Sequence, residues 1–125
     1  MRTAVEKGVR MKVFVYYNLH RKVWSIKALE GDMKGRVVAH RSEAVLENPR
    51  PKVSQAGRKR VLRDRRKNVH AGLVGVWHDR DILLMEGDVI TYNPYKHKTF
   101  VYADNLSPFT GASFALMKNG KVAVI

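Results

Sequence analysis

The chain has 125 residues, 45% of them apolar and none of them cysteine, and carries a formal charge of +13. It is long enough to close a core of its own and too apolar for a disordered chain. Disulfides, cysteine nucleophiles and thiolate metal sites are excluded, as a reducing cytoplasm would allow, and no stretch approaches the roughly 18 apolar residues of a membrane-spanning helix.

Met1 to Arg10 scatters charges without the apolar run of a signal peptide. It is expected to be a flexible leader to a single domain spanning 11–125. Lys12 to Leu19 and Val23 to Leu29 are rich in β-branched and aromatic residues and predict two strands joined by a hairpin at His20-Arg21-Lys22. Tyr16, Tyr17 and Trp24 on this hairpin are expected to pack inward. A turn at Glu30 to Gly35 leads to a short strand over Arg36 to His40. Ala44 to Leu46 predicts another, which Asn48-Pro49-Arg50-Pro51 should terminate because proline lacks the backbone donor.

Ser54 is placed to cap a helix over Gln55 to Lys67, although Gly57 weakens it by about 1 kcal/mol relative to alanine. Strands follow at Gly72 to Trp77, Ile82 to Met85, Asp88 to Tyr92, Lys98 to Tyr102, Ala112 to Met117 and Lys121 to Ile125. His78 to Asp81 reads as a polar turn, and Asn119-Gly120 is a two-residue hairpin signal. The inventory predicts an α+β domain: a curled antiparallel sheet or half-barrel of about eight short strands with one basic helix.

Charge is concentrated on that helix. Nine of the 24 Lys and Arg residues lie between Arg50 and Lys67, where Asp64 is the only acid, a net +8. At 100° per residue, Lys59, Arg60, Arg63, Arg66 and Lys67 share an arc of about 120°, opposite Val61, Leu62 and Val69. Arg58 and Arg65 flank the apolar stripe. An ordinary solvated face mixes both signs into i,i+4 pairs; this one does not, and its arginine forks suit phosphate. A second cluster, Tyr92, Tyr95, Lys96 and Lys98, mixes aromatic faces with cations as stacking surfaces for unpaired bases do, and it also makes a good Asn-Pro turn. Nothing here reads base sequence, so contact is expected to run through the backbone of DNA or RNA.

His20, His40, His70, His78 and His97 show no metal-ligand spacing, and no metal or cofactor is implied. His70 lies just past the basic helix. With His40 or His20 as its complement and Arg66 or Lys67 on phosphate, it would supply an acid–base pair for metal-independent phosphodiester cleavage. Each histidine reads equally as a strand-end residue bonded locally. Phosphate-loop, dinucleotide and nucleophile-elbow motifs are absent from the sequence.

Tyr17-Asn18-Leu19-His20, Gly35 to His40, Ala56 to Leu62, Arg66 to Ala71 and Tyr92-Asn93-Pro94-Tyr95 resemble small basic proteins encoded by bacteriophages. The resemblance implies a phage setting and a location in the host cytoplasm, and supplies no activity. Three functions fit: a nucleic-acid-binding protein, a metal-independent nuclease or phosphoester hydrolase, and an inhibitor of an acidic host protein. None involves a membrane.

Overall fold

The computed structural model describes residues 10–78 and 87–125. The leader, apart from Arg10, and the expected turn and strand between residues 79 and 85 lie outside them.

The described residues form nine strands: β1 (Arg10–Asn18), β2 (Val23–Ala28), β3 (Val37–Arg41), β4 (Glu43–Val53), β5 (Ala71–His78), β6 (Asp88–Thr91), β7 (Val101–Tyr102), β8 (Phe114–Lys118) and β9 (Lys121–Val124). All pair antiparallel in one sheet of order β3-β2-β1-β5-β4-β8-β9-β6-β7. The period of two in the sequence sets its faces. Met11, Val13 and Val15 of β1 lie opposite Trp77, Gly75 and Leu73 of β5, and Val13 and Val15 lie opposite Ala28 and Ile26 of β2. These residues, Gly75 aside, are buried in one cluster with Trp24, Leu46, Met117 and Phe109.

Five strands separate β2 from β6 in the sheet order, yet Trp24 and Ile90 belong to that same cluster. The sheet therefore turns its apolar face inward on itself, as right-handed twist over many strands allows. Its edge strands β3 and β7 are not paired to each other. The expected α+β half-barrel of about eight strands is thereby corrected: the described residues form a single nine-stranded antiparallel sheet with one short helix, and it is not a closed barrel. The helix α1 (Gln55–Asp64) buries only Gly57 and Val61, too little to form a layer of its own.

A second correction concerns β4, which runs straight through the prolines that were expected to end it. Asn48 adopts φ 54° and the register against β5 shifts between Glu47 and Arg50. A bulge of this kind absorbs residues that cannot donate to the ladder. Pro49 is buried there, and pairing resumes with Arg50 opposite Val74. The Asn119-Gly120 turn forms as expected, with φ 55° and 76° between the paired Lys118 and Lys121, the geometry of a type I′ hairpin.

Candidate nucleic-acid interface

The connection between the neighbouring strands β4 and β5 carries α1. The Ser54 amide donates to the His70 carbonyl at 2.8 Å, closing the base of this connection. The Ser54 hydroxyl accepts from the Gly57 amide at 3.0 Å, so the cap read from sequence is in place. Gly57 is explained by its neighbour: a Cβ there would lie 2.5 Å from His70 Cβ. Only glycine lets the helix seat this closely on the start of β5.

The helix ends at Asp64, three residues short of expectation. Arg65 takes the left-handed conformation, φ 54° and ψ 36°, and its amide bonds the Val61 carbonyl. That closure satisfies a terminal carbonyl. Continuing the helix would set Arg66 and Lys67 three and four residues from Arg63, like-charge spacings that disfavour it. Arg66 and Lys67 therefore lie in the segment after the helix and not on its arc. Val69, expected on the docking stripe, is exposed, and Leu62 is half-buried.

Lys59, Arg60, Arg63, Arg66 and Lys67 are all exposed. Arg63 donates from Nε to Asp64 Oδ1 at 2.9 Å and from a terminal nitrogen to Oδ2 at 3.4 Å. This contact raises the Arg63 pKa and, by the same hydrogen bond, lowers that of Asp64. Among the described residues no carboxylate bridges Lys59, Arg60, Arg66 or Lys67. Arg58 is half-buried and turned the other way.

Arg58 and Gln55 join the two basic segments. Arg58 Nε donates to the His97 carbonyl at 2.8 Å, and Gln55 Nε2 to the Lys98 carbonyl at 2.8 Å. The 92–98 loop is held in turn by Asn93, whose Oδ1 accepts from the Tyr95 amide and whose carbonyl accepts from the amides of Lys96 and His97. Tyr95, Lys96 and Lys98 are exposed. Sequence reading brought out Arg58 but missed Gln55, because a polar side chain that bonds a carbonyl 43 residues away leaves no local pattern.

His70 and Tyr92 meet at the centre of this junction. His70 Nδ1 lies 3.1 Å from the Asn68 carbonyl, which can only accept. The neutral ring therefore carries its proton on Nδ1 and receives the Tyr92 hydroxyl on Nε2, at 2.7 Å. Burial pushes the Tyr92 pKa up, partly offset by the positive charge of Arg58.

The other two histidines considered for acid–base chemistry, His40 and His20, lie on other elements. His40 on β3 faces Ser25 of β2, with Nδ1 3.0 Å from the Ser25 hydroxyl. His20 sits exposed in the β1–β2 turn, its amide bonded to Asn18 Oδ1. No hydrogen bond links the rings of His20, His40 and His70 among the described residues. On the same hairpin, Trp24 is buried and Tyr17 packs against the core. Tyr16, opposite Ser25, alternates to the other face.

Fold and surface together define a basic antiparallel β protein in which a single helix and one loop share a cationic face. The profile of the Mycobacterium phage L5 gene 82 protein family matches residues 6–125, and the chain belongs to that phage-encoded family. It is 43% identical over 118 residues to the Gene 82 protein of Mycobacterium phage L5, covering 90% of this chain and 94% of that one. No solved structure matches. Among the described residues, no helix is long and apolar enough to cross a membrane.

Proposed function

We propose that the protein binds the phosphate backbone of nucleic acid in the host cytoplasm, through α1, residues 65–67 and the 92–98 loop. One observation carries this reading. Lys59, Arg60, Arg66 and Lys67 stand exposed without a carboxylate partner among the described residues, beside a loop that adds Lys96 and Lys98. A surface of this kind neutralises phosphates and releases their counterions, so affinity falls steeply with salt. The test is a salt titration of DNA and RNA binding by the parent and by the triple variant Lys59→Ala, Arg60→Ala, Arg66→Ala. The variant is expected to bind every sequence more weakly, with the slope of log affinity against log salt reduced by about 3. Unchanged affinity and slope would refute the reading.

A second reading is favoured by the His70–Tyr92 contact at 2.7 Å: a metal-independent phosphoester hydrolase in which His70, oriented by Asn68, moves the proton while neighbouring cations hold phosphate. His40 bonds Ser25 and no hydrogen bond links the His20 ring to His70 among the described residues, so His70 is the histidine on which this reading rests. Labelled single and double strands incubated with the protein in EDTA decide it, and substrate left intact from about pH 5 to 8 eliminates it.

A further inference from the structure

Beyond the cationic face lies a cleft of about 480 Å³, within the range of roughly 300–1,000 Å³ typical of small-ligand sites. Two aromatic pairs wall it. Tyr17 and Trp24, on β1 and β2, stand edge to face with ring centres 5.0 Å apart. Tyr92 and Phe100, flanking the loop between β6 and β7, are tilted with centres 5.3 Å apart. Leu73 and Met117, both buried, lie beneath its floor.

Charge distinguishes this cleft from an ordinary gap in a core. No acidic side chain is found among its described lining residues, and Lys121 forms part of its wall. Tyr92 connects it to the basic surface: the residue lines the cleft, its hydroxyl bonds His70 behind α1, and Arg58 is close enough to act on it electrostatically. Trp24 lines the cleft from β2 and is itself mostly buried in the core, so it presents little more than a ring edge. The matching ligand is planar and is tethered to negative charge.

We infer that the cleft takes one unstacked nucleobase from a single strand whose phosphates lie along α1 and the 92–98 loop. This deepens the binding reading above and rests on it. Aromatic walls stack any base by its π-face, whereas a base in a duplex is already stacked and paired and must first be extruded. Single strands are therefore the preferred substrate class. An anionic lipid would share the need for cations and apolar walls but gains nothing from stacking partners.

The test uses the native protein and three probes: an oligo(dT) strand of about 12 nucleotides, the same strand with abasic sites replacing its thymidines, and vesicles of anionic phospholipid. Oligo(dT) is expected to bind about tenfold more tightly than the abasic strand. It should also quench tryptophan emission, which the abasic strand should not. Phe100→Leu, which keeps the wall apolar, should abolish most of the tenfold difference. Equal binding of the two strands, or tight oligo(dT) binding without quenching, overturns the cleft assignment and leaves the backbone reading standing. Failure of both strands to bind overturns both, and vesicle binding in that case would reassign the cleft to lipid.

Discussion

Two histidine–hydroxyl pairs in this molecule look alike in chemistry and differ in consequence. His40 and Ser25 are cross-strand partners on β3 and β2, 15 residues apart, and the fully buried Ser25 also lies 3.4 Å from Asn18 Nδ2. The sheet ladder already fixes that geometry, so the contact fastens strands that are paired anyway. His70 and Tyr92 have no ladder between them. They join the start of β5 to the end of β6 at the point where α1, the 92–98 loop and the aromatic cleft converge. Position within the sheet, more than the bond itself, decides which pair lies at the candidate site.

The largest effect expected from breaking this contrast comes from Gly57→Ala. Alanine favours a helix by about 1 kcal/mol over glycine, but its methyl would stand 2.5 Å from His70 Cβ. That atom is anchored to the backbone and has little room to move. Overpacking of this kind costs about 1–3 kcal/mol, and a backbone-anchored clash this short lies at the upper end, so after the helix gain a net loss of up to about 2 kcal/mol is expected in urea unfolding. A variant as stable as the parent would show that α1 floats on the sheet.

Removing each hydroxyl sharpens the comparison further. Tyr92→Phe leaves His70 Nε2 half-buried without its donor and should cost about 1 kcal/mol, with weaker binding of single strands. Ser25→Ala should cost about 0.5–1 kcal/mol and leave binding unchanged, because exposed His40 turns to water. The pair also separates at high pH. The folded state raises the Tyr92 pKa above its ordinary 10.0, so the native chain keeps a proton that the unfolded chain releases. Rising pH then favours unfolding: Tyr92's contribution is intact below about pH 10 and is lost as pH climbs through the raised value. Tyr92→Phe should blunt that alkaline loss of stability, and Ser25→Ala should not.

Much of the sheet was legible because period-two apolar patterning is a local signal. β1, β2, β5 and the β8–β9 hairpin lie close to where Val, Ile, aromatic residues and Asn-Gly put them. The prolines misled at β4 because a bulge is a negotiation with two partner strands, β5 and β8, which a one-strand reading does not contain. The α+β class failed for a similar reason: the sequence marks a helix at 55–64 but not how little of it is buried. At the candidate site, the exposed cations were readable from composition alone. Gly57 was visible only as a defect in a helix, and its purpose appeared once His70 was seen pressed against it. Gln55 joins the loop to α1 through a side-chain amide that donates to a carbonyl 43 residues away, and Asn68 orients His70 through its own backbone carbonyl, so neither leaves a local pattern.

The smallest expected effect isolates charge from packing. Asp64 is the one acid on α1, and it occupies Arg63 through two hydrogen bonds. Arg60 also acts on it electrostatically. Both members of the pair are solvent-exposed, where ion pairs contribute little to folding, so Asp64→Asn should leave the unfolding midpoint almost unmoved. It should nevertheless free Arg63 for phosphate and steepen the dependence of log affinity on log salt by about 1. Glu43 and Lys118, an exposed pair on the β4–β8 ladder, supply the contrast: Glu43→Gln raises the net charge by the same amount, away from α1. If both substitutions steepened the slope equally, binding would follow total charge and the helix face would have no special part in it. If only Asp64→Asn did so, the cations on α1 would be the ones meeting phosphate.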